Sequence, residues 1–197
     1  MKALFGARGL PPGVHASWRT SLRERGGAPT RILAWTRSTD AYVVGSLAVL
    51  SLGGGELVAD TDTDSDTDTV AEADTEPWRH VGWHEIEHGG WNAESRSLSW
   101  TLYGGRRGRV ELADPARLPE LFRERVAASI AVERFVPIRG ERGVTVTARR
   151  DLGGDGDLSW HSSLTRGLSW SAEGVAEEAA RVLAEMESEY GSTSPGW

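Results

Sequence analysis

The sequence predicts an α+β domain: a run of antiparallel strands closed by a helix, then a further hairpin and a terminal amphipathic helix. Three observations predict it. Leu98, Trp100 and Leu102 alternate with Ser97, Ser99 and Thr101, the period of two of a strand buried on one face. Asp114 followed by Pro115 and later Pro119 reads as a cap and a proline at a helix start, after which Leu118, Leu121, Phe122, Arg125, Val126, Ser129 and Ile130 recur at helical spacing. From Glu173 to Tyr190, the residues Val175, Ala179, Val182, Met186 and Tyr190 form one apolar stripe. A chain of 197 residues, 39% of them hydrophobic, suffices for one domain with a sizeable core over residues 13–190.

Along the chain, residues 1–12 carry Gly6, Gly9, Pro11 and Pro12 without an apolar period and read as a loose tail. Val14 to Arg25 reads as a short helix, with Val14, Trp18 and Leu22 on one side. Arg31–Thr36 and Ala41–Gly45 are rich in strand formers, and the turn composition of Arg37 to Asp40 joins them as a hairpin. Leu47–Leu52 adds a third strand. Residues 55–77 form an acidic insert whose Thr61–Thr69 stretch alternates Thr with Asp and has nothing to bury. Strands resume at Arg79–Glu87, Arg96–Tyr103 and Arg109–Leu112, separated by Gly89-Gly90 and Gly104-Gly105. A helix over residues 117–130 follows. Gly143–Arg149 and Asp157–His161 then pair across a glycine-rich turn at 153–156, and residues 191–197 trail from the last helix.

Composition removes several function classes. With no cysteine, there are no disulfides, thiolate zinc sites, iron–sulfur clusters or cysteine nucleophiles. The best apolar run, Ala41 to Leu52, is far short of the roughly 20 residues of a spanning helix, so no transmembrane segment is expected and the default compartment is the cytoplasm. Net charge is −7, yet residues 60–76 hold eight acids and no base, which leaves the folded body nearly neutral. Its arginines are spread along the chain, against the concentrated basic face that nucleic acid requires. The acidic insert is no EF-hand either: counted from Asp60, Ser65 and Ala71 stand where glycine and glutamate are needed.

The segments LAWTRSTDAYVVGS, GWHEIEHGGWN, LPELFRERVAASI and GVTVTARR resemble the bacterial pleckstrin-homology-like (PH-like) domain, and more narrowly a group of actinobacterial proteins built on that plan. The resemblance spans roughly residues 13–190, with the acidic insert as its departure. It implies a bent antiparallel β-barrel with one open end plugged by the helix at 117–130. It also implies use as a binding or scaffold surface for a protein segment or an anionic group, typically without catalysis. Fold alone does not choose the ligand.

One motif carries potential chemistry. His84-Glu85-Ile86-Glu87-His88 fits H-E-x-x-H, in which two histidines one helical turn apart hold zinc and the glutamate activates its water; a zinc-dependent hydrolase is therefore the alternative function. That mechanism requires a helix, and Gly82 and Gly89-Gly90 leave only six residues between them. Read as a strand, the segment puts His80, Gly82, His84, Ile86 and His88 on one face and Glu85 on the other, which separates the base from any metal. The expectation is a strand with no metal and no catalytic residue. No G-x-S-x-G, P-loop or dinucleotide fingerprint occurs in strand-to-helix context, so no cofactor is expected. The remaining candidates are Arg106, Arg107 and Arg109, clustered beside a glycine turn where guanidinium groups could hold an anion. The pairs Arg123, Arg125 and Arg149, Arg150 read as partners for nearby acids. Trp160 and Trp170 read as cover for the terminal helix.

Overall fold

Helix α1 (Pro12–Glu24) precedes a four-stranded antiparallel meander of β1 (Ile32–Arg37), β2 (Tyr42–Ser46), β3 (Val49–Gly53) and β4 (Trp78–Gly82). The computed structural model describes residues 9–26, 30–38, 41–53, 78–154 and 158–190. The expectations for the acidic insert, for the last residues of the 37–40 turn and for the C-terminal tail lie outside them. After β4, a 3-10 turn (Trp83–Glu85) leads into a second sheet of β5 (Ile86–Asn92), β6 (Ser97–Leu102) and β7 (Arg107–Glu111). Helix α2 (Leu118–Ser129) then runs directly into a third sheet of β8 (Ile130–Arg139), β9 (Arg142–Arg150) and β10 (Leu158–Leu164), with strand order β10-β9-β8. Helix α3 (Val175–Tyr190) ends the described chain. Among the described residues the architecture is thus α+β with three antiparallel sheets, none of which closes on itself as a barrel.

Three apolar clusters hold these layers. The central one joins Val43 and Leu50 of the first sheet, Leu98 and Trp100 of the second, and Leu121 and Phe122 of α2. Two glycines admit the helix. A Cβ on Gly45 in β2 would stand 2.5 Å from Leu121 Cδ2, and one on Gly89 in β5 would stand 2.6 Å from the Ser99 carbonyl and 2.8 Å from Phe122 Cζ. Trp83 is fully buried at the corner between the first two sheets; its Nε1–H donates to the Ser46 carbonyl at 3.1 Å, and its ring meets Phe122 edge-on.

The second cluster places Trp18 and Leu22 of α1 on Val44 and Trp78, on the opposite face of the meander. Leu10 belongs to this cluster and α1 begins at Pro12, so the expected loose tail is part of the fold from Leu10 onward. The apolar stripe outweighs the glycine and proline content here because it covers two tryptophans.

The third cluster forms where Val175, Ala179, Val182 and Met186 of α3 pack on Val144 and Val146 of β9. The C-terminal hairpin expected from the sequence is therefore two strands of a three-stranded sheet. The additional strand, β8, starts at Ile130, which the helical spacing had assigned to α2. From Ala131 onward its residues alternate between exposed and half-buried, and Phe135 is left 48% exposed. Helix α2 starts at Leu118, one residue after the expected 117, with Pro119 in its first turn, while Asp114 is no cap: its Oδ1 accepts from the Ala116 amide in the turn before the helix. Trp160 packs on the third cluster as expected, while Trp170 remains 46% exposed.

Candidate functional site

On the outer face of the second sheet, two cross-strand rows stand side by side. Register pairs His88 with Thr101 and Thr101 with Arg107, and likewise Gly90 with Ser99 and Ser99 with Arg109. Residues directly opposite in an antiparallel pair share a face, so these six point the same way, opposite to buried Trp100 and Leu98. Large cationic side chains on β7 and His88 on β5 thus flank short hydroxyl side chains on β6. The result is an open recess of about 280 Å³ lined by His88, Ser99, Thr101, Arg107 and Arg109 with the backbone between them. Among the described residues, its lining holds two guanidinium groups, an imidazole and two hydroxyls, and no carboxylate. The nearest acids stand at its margins: Glu111 reaches Arg109 at 3.5 Å and Glu87 reaches His88 at 3.9 Å.

Of the three arginines singled out from the sequence, Arg107 and Arg109 line this recess. Arg106 lies in the turn before β7, exposed, and is not part of the lining. Sequence reasoning missed Ser99 and Thr101 as members. The signal was present in the alternation that places them opposite Trp100, but it acquires meaning only once the register sets Arg107 and Arg109 beside them.

The H-E-x-x-H segment is neither a helix nor one continuous strand, and the expectation that its histidines share a strand face is corrected. His80 lies in β4 beneath α1 and is 4% exposed. Trp18 Nε1–H donates to Ser51 Oγ at 2.9 Å, and His80 is hydrogen-bonded through Nδ1 to Ser51 Oγ at 2.7 Å and through Nε2 to Ser21 Oγ at 3.1 Å. The Arg25 guanidinium also donates to the His80 carbonyl. Burial, and then the nearby Arg25 charge, lower the His80 pKa to about 4. This Ser-His-Ser chain has the residue types of a nucleophile and its base, but both serines are buried with it, so it serves packing.

His84 sits in the 3-10 turn, with Nδ1 at 3.5 Å from Asp151 Oδ1. Glu85, the candidate general base, accepts the Gly82 amide at 2.6 Å and faces Arg25 at 3.6 Å. A register shift between Ile86 and His88 is what separates these two residues: Ile86 is fully buried, while His88 turns out to the recess. Among the described residues, no three His, Asp or Glu side chains are grouped to hold a metal ion.

Arg149 corrects a further expectation. It is buried, and its hydrogen bonds go to neutral acceptors instead of acids: Tyr103 Oη at 3.1 Å, the Val126 carbonyl at 2.8 Å, Ser129 Oγ at 2.9 Å and the Glu87 carbonyl at 3.4 Å. These acceptors lie in β5, in the turn after β6 and in α2, so one side chain of β9 ties the third sheet to the rest of the molecule.

No helix among the described residues is long and apolar enough to cross a membrane. Comparison of the chain with models of known protein families, with curated proteins and with solved structures finds no match in any of the three.

Proposed function

We propose that this chain is a non-catalytic, PH-like recognition module that takes an anionic group in the recess on the outer face of β5–β7. The observation that carries this reading is the lining itself: Arg107, Arg109 and His88 surround Ser99 and Thr101 with no acid among them. Guanidinium groups give forked, charge-assisted hydrogen bonds to phosphate or carboxylate oxygens, and hydroxyls between them can supply additional donors. The PH-like assignment draws support from the order of parts: a four-stranded meander, a three-stranded sheet and then a helix whose Leu121 and Phe122 fill the space between the sheets. The anionic group is a free small molecule or one presented on a protein segment; the recess is open enough for either.

The test is a titration of the protein with inorganic phosphate, followed by the amide and guanidinium nitrogen resonances of β5–β7. Saturable shifts at Arg107, Arg109 and Thr101, abolished in Arg107→Ser/Arg109→Ser and weakened by added sodium chloride, are expected. Shifts that do not saturate, or that persist in the double variant, would overturn the reading.

A further inference from the structure

A separate cluster lies where the third sheet meets the second. The His161 ring of β10 stacks on the Tyr103 ring with centroids 3.7 Å apart and planes 6° from parallel. Tyr103 in turn receives the Nε–H of Arg149 at its hydroxyl, and the guanidinium carbon stands 5.6 Å from its ring centroid. The protonation of His161 follows from its neighbour. Ser159 Oγ donates its single hydrogen to the Arg149 carbonyl at 3.3 Å, so at 3.2 Å from His161 Nε2 it accepts from Nε2–H. Nδ1 is therefore the nitrogen that carries no proton.

We propose that the Tyr103–His161 stack is an acid-released latch: uptake of a proton at His161 Nδ1 undocks the layer formed by β8–β10 and α3 from the second sheet and α2. The charged and titratable groups around the stack set the direction. Arg149 on β9 is cationic and already occupies Tyr103. His84 on the 3-10 turn acts on His161 through its charge, and Asp151 after β9 is engaged by His84 at 3.5 Å. Glu133 on β8 stands at the far end of the row through Thr147, from whose hydroxyl it accepts a hydrogen bond, and the Glu87 carboxylate turns to His88. An imidazolium there is repelled by the charges of Arg149 and His84, and it recovers hydration by leaving the stack. Burial, then the charges of Arg149 and His84, hold the His161 pKa below its ordinary value, so the latch is shut at neutral pH and opens as pH falls through that lowered value.

Hydrogen exchange on the full chain from pH 7.5 to 4.5 tests the latch, with protection corrected for the intrinsic exchange rate. Acidification is expected to lower protection at Tyr103, Ser129 and Arg149 by about tenfold or more beyond what Val43 and Leu50 lose with global stability. His161→Phe keeps a flat ring on Tyr103 without a titrating nitrogen and is expected to abolish this excess loss; His161→Gln makes the same comparison if the phenyl variant does not fold. Identical acid profiles in the native protein and these variants would overturn the proposal. Loss of the response in His84→Asn with its retention in His161→Phe would also overturn it, as would a loss of protection at Val43 and Leu50 equal to that at Tyr103, Ser129 and Arg149.

Discussion

The guanidinium of Arg149, on β9, donates to the main-chain carbonyl of Val126, on α2, at 2.8 Å. A charged side chain in the third sheet thereby satisfies an acceptor in the last turn of the helix that fills the first core. Truncating it removes a donor from the carbonyls of Val126 and Glu87, from Ser129 Oγ and from Tyr103 Oη; the Val126 carbonyl keeps the Ser129 hydroxyl at 2.7 Å, and a buried acceptor left unpaired costs about 1–3 kcal/mol. Arg149→Ala is expected to lower stability by about 3 kcal/mol in urea unfolding. Arg149→Lys keeps the charge but not the fork, and should recover less than half of that loss.

His80 makes stability depend on pH. Its pKa in the fold is about 4 against 6.5 in the unfolded chain, so between these values the unfolded state binds the extra proton. Stability is complete above about pH 6.5 and falls as pH drops towards 4, by an upper bound of about 3 kcal/mol. Denaturant midpoints measured from pH 7.5 to 4 should show this decline, and His80→Asn, though weaker at neutral pH, should show a flatter profile.

Glu85 closes the 3-10 turn through the Gly82 amide. Glu85→Gln keeps an acceptor oxygen and should cost under about 0.5 kcal/mol, whereas Glu85→Ala should cost about 1 kcal/mol in thermal or urea unfolding. Equal effects from the two substitutions would show that the carboxylate does more at this corner than accept one hydrogen bond.

Gly89 lies where β5 passes under Phe122, and its added Cβ would be 2.6 Å from a backbone oxygen that has no rotamer by which to escape. Gly89→Ala is expected to destabilise the protein by about 1–3 kcal/mol through overpacking. Gly90, one residue on, has nothing within 4 Å of that position, and Gly90→Ala should change stability by under about 0.5 kcal/mol. The two unfolding curves side by side check the face assignment of β5, and with it the recess.

Periodicity made most elements legible where one face alone is buried. The stripe of Val175, Ala179, Val182 and Met186 is buried as read, and Ser97–Leu102 is a strand in the register its alternation suggests. β8 was not legible, because Ile130 continues the helical spacing of α2 and the strand interleaves Arg134, Pro137 and Arg139 with its apolar residues. For the recess, local pattern pointed to Arg107 and Arg109, but nothing local distinguishes them from Arg106. At Glu87 a single register shift reverses the face on which every following residue of β5 stands.

The sequence by itself determined the α+β class, the amphipathic helices, the lack of any thiol chemistry and the unsuitability of the H-E-x-x-H segment for a zinc helix, since each depends on residue type and short-range spacing. Only the tertiary structure decided which polar residues meet. His80 is confined beneath α1, Arg149 reaches four acceptors from elements 20 to 62 residues away, and His88 joins Thr101 and Arg107 across the sheet. Those partnerships depend on strand register and on the packing of one layer against another, and local pattern carries neither.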